Sequence, residues 1–141
     1  MQLIERRKFK RYHSRVPLSM RVLDAFGRIK AFSMQTKDVS REGPGIELYE
    51  VQQDILSLIP FIVLKKKAIE LDIKLPPTGE MIRGTGKITW YDTGSTETPY
   101  PHLRLGIFLE QMKPEDRKKW EDFVGNVARE EDGKSPKTES P

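Results

Sequence analysis

Apolar and polar residues alternate along most of this chain, which is the pattern of strands that bury one face. The alternation is cleanest in residues 68–75, where Ile69, Leu71 and Ile73 interleave with Glu70 and Asp72. Strands are predicted for 16–23, 28–39, 46–48, 68–75, 81–91 and 103–109. Most of the links between them are of turn length, so neighbouring strands run antiparallel, and so small a sheet protects its edges best by closing. The predicted fold is mainly β, a six-stranded antiparallel barrel.

Two segments show helical spacing instead. After the last strand, Pro114 is suited to the first turn of a helix, and Trp120, Phe123 and Val127 follow on one face. This pattern predicts a C-terminal helix that packs on the barrel. Within Glu50–Leu64, apolar residues also recur at helical spacing, but Pro60 interrupts them. We predict a short helix there, followed by an extended link.

The length of 141 residues suits a single domain. The predicted organisation is a flexible basic arm (1–15), a barrel with its C-terminal helix (16–128) and a disordered tail (129–141). The tail is assigned because Gly133 to Pro141 contains glycine, proline and polar residues without a large apolar side chain.

The positive charge is concentrated in the arm. The chain carries 25 Lys and Arg against 21 Asp and Glu. The bases of the arm are Arg6, Arg7, Lys8, Lys10, Arg11 and Arg15, against one acid, Glu5. The rest of the chain is close to neutral, whereas a nucleic-acid binder usually spreads its cations over folded elements. A local arm suits a compact anion better, although a basic tail on DNA stays open as an alternative.

Several classes of function are disfavoured by what the chain lacks. It has no cysteine, which excludes disulfides and thiolate metal sites, and no apolar run of about 20 residues that could span a bilayer. No secretory signal is recognisable, so a cytoplasmic location is expected. Gly84-Thr85-Gly86 completes no nucleotide-binding fingerprint, and His13 and His102 lack metal-ligand partners at suitable spacing. We therefore predict no catalytic activity, no metal site and no cofactor.

Two polar stretches suggest a binding site. Arg7 and Arg11 lie four apart, and guanidinium groups match phosphate oxygens and the O6/N7 edge of guanine. Asp38 can accept hydrogen bonds from guanine N1–H and N2–H, and Ser40 can donate one to a phosphate. Gly43 would let a ligand or the arm approach the backbone. Each residue also has a purely structural alternative: Asp38 and Ser40 could cap a turn, and the arginines could be a solvated tail.

Together, Arg7-x-x-x-Arg11 and Asp38-x-Ser40-x-x-Gly43 resemble the paired signature of PilZ domains. The resemblance extends over roughly Glu5 to Val127. It implies a six-stranded barrel that binds cyclic di-GMP, with Arg7 and Arg11 on phosphate and guanine edges and Asp38 and Ser40 holding the ligand from the barrel surface. The leading hypothesis is a non-catalytic sensor whose arm becomes ordered on binding. The alternative is a protein-interaction adaptor of the same fold that does not depend on ligand.

Two further expectations concern partners. Arg6 precedes the first motif, and in the family an arginine at the position it resembles goes with a stacked pair of ligands. Five cations in one short segment also suit the four phosphate charges of such a pair, so we predict two ligands per chain. The segment Glu50–Lys67 is longer and more apolar than the usual family link, which suggests an insertion that binds an unidentified protein partner. No membrane insertion is expected.

Overall fold

The computed structural model describes residues 10–49, 51, 53–93 and 102–133. Seven strands and two helices make up this part of the chain. The strands are β1 (Tyr12–His13), β2 (Pro17–Leu23), β3 (Ile29–Val39), β4 (Pro44–Tyr49), β5 (Ile69–Leu75), β6 (Glu80–Asp92) and β7 (His102–Met112). The helices are α1 (Gln53–Leu64), between β4 and β5, and α2 (Pro114–Gly133), after β7.

Six of the strands close into an antiparallel barrel, which confirms the fold predicted from the alternation. Their order is β3-β2-β5-β6-β7-β4, and β4 pairs back to β3. Apolar side chains from every wall fill the interior, among them Met20, Ile46, Leu71, Ile82 and Leu105. Because side chains alternate along a strand, the residues between these core positions lie on the outer face.

The short strand β1 lies outside the barrel and was not predicted. It pairs with the end of β3, where Tyr12 is opposite Val39 and His13 is opposite Asp38. Two residues are too few to show an alternating pattern, so only the pairing itself reveals the strand. It fixes the end of the predicted arm, Lys10 to Arg15, against the barrel, while residues 1–9 lie outside the described part.

Helix α1 corrects the prediction for the segment after β4. The helix does not stop at Pro60 but continues to Leu64, so the predicted extended link is wrong. Proline at this position removes one backbone hydrogen bond and costs about 3 kcal/mol. Leu58, Ile59 and Ile62 are all buried, and burial of such side chains contributes about 1.5–3 kcal/mol each. The burial on both sides of the proline therefore outweighs its cost.

Helix α2 begins at Pro114, as predicted, and lays one apolar face on the barrel. Trp120 and Val124 are buried in the core, and Phe123 and Val127 pack beside them. The helix continues to Gly133, past the boundary at 128 that composition had suggested, and residues 134–141 lie outside the described part. Neither α1 nor α2 is long and apolar enough to cross a membrane.

Candidate functional site

A row of four residues crosses the outer face of the barrel at the level of β1. Asp38 on β3 is opposite Gly45 on β4, which is opposite Gly106 on β7, which is opposite Trp90 on β6. Two polar or aromatic side chains thus stand at the ends of a floor made by two glycines. We refer to Asp38, Gly45, Gly106 and Trp90 as the glycine-floor row.

Two irregularities in the sheet create this row. The register of β3 against β4 shifts between Thr36 and Asp38, and that of β6 against β7 shifts between Ile88 and Trp90. Ile88 is opposite Ile107, so a regular ladder would place Thr89 opposite Gly106, and the shift places Trp90 there instead. Bulges commonly re-aim a side chain in this way beside functional sites. A third shift lies between Thr85 and Gly86, on the same strand β6.

The two glycines are required by the side chains at the ends of the row. A methyl group on Gly106 would come within 2.7 Å of Trp90 Cε2. On Gly45, it would overlap Asp38 Oδ1 and lie 3.4 Å from an Arg11 guanidinium nitrogen. Isolated glycines in strands often mark such close approach. The floor is therefore kept free of side chains so that Asp38, Arg11 and Trp90 can lie over it.

Arg11 joins the two ends of the row. Its position follows from β1, which holds the next two residues against the end of β3. Arg11 Nη1 lies 3.9 Å from Asp38 Oδ1, and its guanidinium carbon lies 5.1 Å from the centroid of the Trp90 ring. The Arg11 and Asp38 side chains are only 17% and 21% exposed. One cation thus contacts both a carboxylate and an indole face, an arrangement that strengthens when water is partly excluded.

Ser40 and Gly43 lie in the turn that follows β3, where the fold already uses them. Ser40 is buried, its hydroxyl donates to the Gly43 carbonyl at 3.3 Å, and it accepts from the Glu42 amide at 3.2 Å. Its carbonyl accepts a 3.0 Å hydrogen bond from Trp120 Nε1 of α2. A methyl group on Gly43 would overlap the Ile107 carbonyl oxygen. The glycine is needed for approach to β7, and the hydroxyl fits the turn-capping alternative.

The structure therefore brings together only part of the predicted set. Arg11 and Asp38 are in contact, Ser40 and Gly43 lie in the adjoining turn, and Arg6 and Arg7 are outside the described residues. Sequence reasoning missed Trp90, Gly45 and Gly106 as site residues. The available signal was an isolated glycine at an outward position of an alternating strand in both β4 and β7.

A second polar cluster lies on the same outer face, farther along β4. Glu47 contacts Lys37 Nζ and His102 Nε2, each at 3.0 Å, and Tyr49 stacks on His102 with ring centroids 4.7 Å apart. Burial disfavours the charged carboxylate of Glu47, but the hydrogen bonds from Lys37 and His102 outweigh it and lower its pKa. In residues 10–49, 51, 53–93 and 102–133, no group of three or more His, Cys, Asp or Glu side chains is placed to hold a metal ion.

Comparison with solved structures finds the same architecture in bacterial regulatory proteins. The PilZ domain of Escherichia coli YcgR with c-di-GMP matches 93% of this chain and 100% of that domain, with a TM-score of 0.60 and 13% identity. The K. pneumoniae MrkH–c-di-GMP complex matches 94% of this chain and 57% of its own, with a TM-score of 0.63 and 14% identity. The Bacillus subtilis motility inhibitor MotI matches 94% of this chain and 54% of its own, with a TM-score of 0.59 and 12% identity.

The chain spans a little over half the length of MotI and MrkH. A scan against protein-family models and a search of curated protein sequences found no match.

Proposed function

From its PilZ-like fold, we propose that the chain is a non-catalytic sensor that binds cyclic di-GMP over the glycine-floor row. The observation that carries the proposal is the contact of the Arg11 guanidinium with both Asp38 and the Trp90 ring above two glycines. The matching YcgR and MrkH structures contain c-di-GMP, which supports the choice of ligand. We place the protein in the bacterial cytoplasm, where a second messenger acts.

The chemistry of the row suits a guanine base and a phosphate. The Asp38 carboxylate accepts hydrogen bonds, which the N1–H and N2–H groups of guanine can donate. The Arg11 guanidinium can bind the O6/N7 edge or a phosphate oxygen in a bidentate manner. The Trp90 indole offers a face on which a base can stack, typically worth about 1–3 kcal/mol.

Ser40 has a narrower part in this proposal. Its hydroxyl hydrogen bond to Gly43 O measures 3.3 Å, longer than the 2.5–3.0 Å that is usual for O–H donors. A charged phosphate oxygen is the stronger acceptor, so the hydroxyl can turn from the carbonyl to the ligand at small cost. Gly43 contributes by keeping the turn close to β7.

The arm completes the site in our proposal. Arg7 provides the second guanidinium of the first motif, and Arg6 stacks on the outer base of a ligand pair. Lys10 is the basic residue of the arm that lies near helix α2: its Nζ is 3.7 Å from Asp132 Oδ1 at the end of that helix. Like charges in 6–11 repel until phosphates neutralise them, so the arm becomes ordered on binding. Because β1 already holds Tyr12 against the barrel, the test is amide exchange over 6–9, which should slow when cyclic di-GMP is added. Unchanged exchange there would refute the ordering of the arm.

The direct test is titration calorimetry of the chain with cyclic di-GMP, with cyclic di-AMP as the comparison ligand. Arg7→Ala and Arg11→Ala should each weaken binding by about 10- to 100-fold, the scale of a lost charge-assisted hydrogen-bond pair. Arg83→Ala is the matched control, because it removes the same charge from an exposed position on β6. Absence of any heat of binding for the unaltered chain would refute the sensor. Equal affinities in all three variants would show that Arg7 and Arg11 are not part of the site.

Stoichiometry tests the ligand pair separately. The unaltered chain should bind two molecules of cyclic di-GMP, and Arg6→Leu should lower the number toward one while binding through Arg7 and Arg11 remains. If the unaltered chain binds only one molecule of cyclic di-GMP, the stacked ligand pair is refuted, but the proposal that the chain is a sensor is not.

One observation favours a second candidate function. Groups of the turn, α2 and β7 contact Ser40 and Gly43, so the fold itself uses these two residues. A protein-interaction adaptor of the same fold would keep these two residues as well, so we retain it as the alternative. A nucleic-acid role is disfavoured because the Asp38 carboxylate beside Arg11 would repel a phosphate backbone.

A further inference from the structure

An apolar groove lies at the end of the barrel away from the glycine-floor row. It has a volume of about 300 Å³ and runs between the β2–β3 turn and α1. The hairpin side is formed by Phe26, Lys30 and Phe32, and the helix side by Leu58 and Phe61. Such a groove holds one large apolar side chain, and none of the described residues fills it.

The surface around the groove is also apolar. Phe26 on its rim is 85% exposed, and Leu64, one turn after Phe61 on α1, is 77% exposed. Lys67 links the helix to the hairpin, since its Nζ donates to the Leu23 carbonyl at 3.4 Å and lies 5.1 Å from the centroid of the Phe61 ring. Exposed apolar residues that cluster beside a groove mark an interaction surface.

The two ends of α1 carry charges of opposite sign. Asp54 lies in its first turn and lines the groove, whereas Lys65 and Lys66 follow its last residue, Leu64. The 12 residues of the helix separate these charges by about 18 Å. Two copies of α1 packed antiparallel would therefore place Asp54 of each copy beside the lysines of the other.

We propose that this surface binds a second copy of the same chain around a two-fold axis. Phe26 of each copy enters the groove of the other, and the two α1 helices lie antiparallel across the interface. A surface that carries a protruding ring, a groove for it and both signs of charge is self-complementary, as a two-fold interface requires.

The dimer leaves the glycine-floor row open. Ile29 lies at the groove end of β3 and Asp38 at the other, a separation of about 30 Å along an extended strand. The proposal therefore does not depend on the ligand, and it is tested in the ligand-free protein.

The first test is the mass of the full chain in solution, measured by sedimentation equilibrium as concentration rises from low micromolar to near millimolar. The mass should rise from 16.4 kDa toward twice that value. Phe26→Ser should raise the dimer dissociation constant by about 100-fold, because two phenyl rings lose their burial. Met81→Ser is the matched control: Met81 is also exposed, but it lies at the β5–β6 turn, and its loss should leave the dissociation constant unchanged.

The second test uses charge reversal, which leaves the apolar contacts in place. Asp54→Lys and Lys65→Glu should each weaken the homodimer about tenfold, because each puts like charges together across the antiparallel helices. An equimolar mixture of the two variants should form a heterodimer as stable as the unaltered dimer, since opposite charges meet again at both ends.

Three outcomes would overturn the proposal. The first is a monomer throughout the concentration range. The second is a dimer that is weakened equally by Phe26→Ser and Met81→Ser, or a pair of charge variants that do not regain dimer stability when they are mixed. The third is a monomer that instead binds vesicles of phosphatidylcholine and phosphatidylglycerol and loses this binding in Phe26→Ser, which would assign the surface to a membrane.

Discussion

The substitution Gly106→Ala tests whether the contact between Trp90 and the glycine floor is needed for ligand binding. Gly106 lies opposite Trp90, and the added methyl group would come within 2.7 Å of Trp90 Cε2. Ordinary contact begins at 3.4 Å and Trp90 Nε1 would lie closer still than Cε2, so the indole must move by more than about 0.7 Å. Because the Arg11 guanidinium lies over the same ring, this movement also displaces the cation from its place beside Asp38.

The expected cost has two parts. Forcing one methyl group into a filled site typically costs about 1–3 kcal/mol of stability. Loss of the contact between a partly buried guanidinium and an indole adds about 0.5–1 kcal/mol. We expect Gly106→Ala to lower the free energy of unfolding by about 1.5–4 kcal/mol, the sum of the two parts, and to weaken cyclic di-GMP binding at least tenfold.

Gly84→Ala separates an effect on the site from an effect on the barrel. Gly84 lies on β6, six positions before Trp90 and about 20 Å from it, and its added methyl group would come within 2.6 Å of Met112 Cγ. Urea unfolding and calorimetric titration of both variants give stability and affinity. Both should be destabilised, and only Gly106→Ala should bind weakly. If both bind cyclic di-GMP as the unaltered chain does, the row is not the ligand site.

Three further predictions rest on other residues. Asp38→Ala should reduce the preference for cyclic di-GMP over cyclic di-AMP in calorimetry, and equal losses for the two ligands would count against a base contact by Asp38. Lys66 has φ of 53° after α1, so Lys66→Gly should raise the free energy of unfolding by about 0.5–1 kcal/mol in urea, whereas Lys65→Gly, which has no positive φ, should lower it. The lowered pKa of Glu47 means that its ionised form stabilises the fold above the unfolded-state value of about 4.5 and that this stabilisation is lost as pH falls through the folded-state pKa. Glu47→Gln should flatten the stability profile below pH 4.5, and an unchanged profile would contradict the assignment.

The barrel could be predicted because its strands have one face in the core and one in solvent. Val16 to Leu23 and Ile69 to Leu75 show the alternation that this burial imposes, and the observed strands begin within a residue or two of the predicted ones. Helix α1 could not be predicted to its full length. Local propensity disfavours a helix through Pro60, and the burial of Ile59 and Ile62 that compensates is a property of the folded chain.

The site was less predictable than the fold. Arg11 and Asp38 were predicted from the paired motif that resembles PilZ domains, and the structure places them in contact. Trp90 was assigned only to a strand, because its outward direction opposite Gly106 depends on a register shift. A shift of one residue exchanges the two faces of a strand and leaves no periodic signature in the sequence.

The hydrogen bonds of the Ser40 hydroxyl within its turn have a consequence for how this chain can change in evolution. Ser40 serves the fold through this turn and Gly43 through its approach to β7, so, if the proposed function holds, selection would keep both in a descendant that does not sense a ligand. Asp38 and Arg11 are the residues that such a descendant could lose, because the barrel core does not include them. Among related sequences, the arginine and the aspartate therefore distinguish a sensor from an adaptor, whereas the serine and the glycine record only shared ancestry.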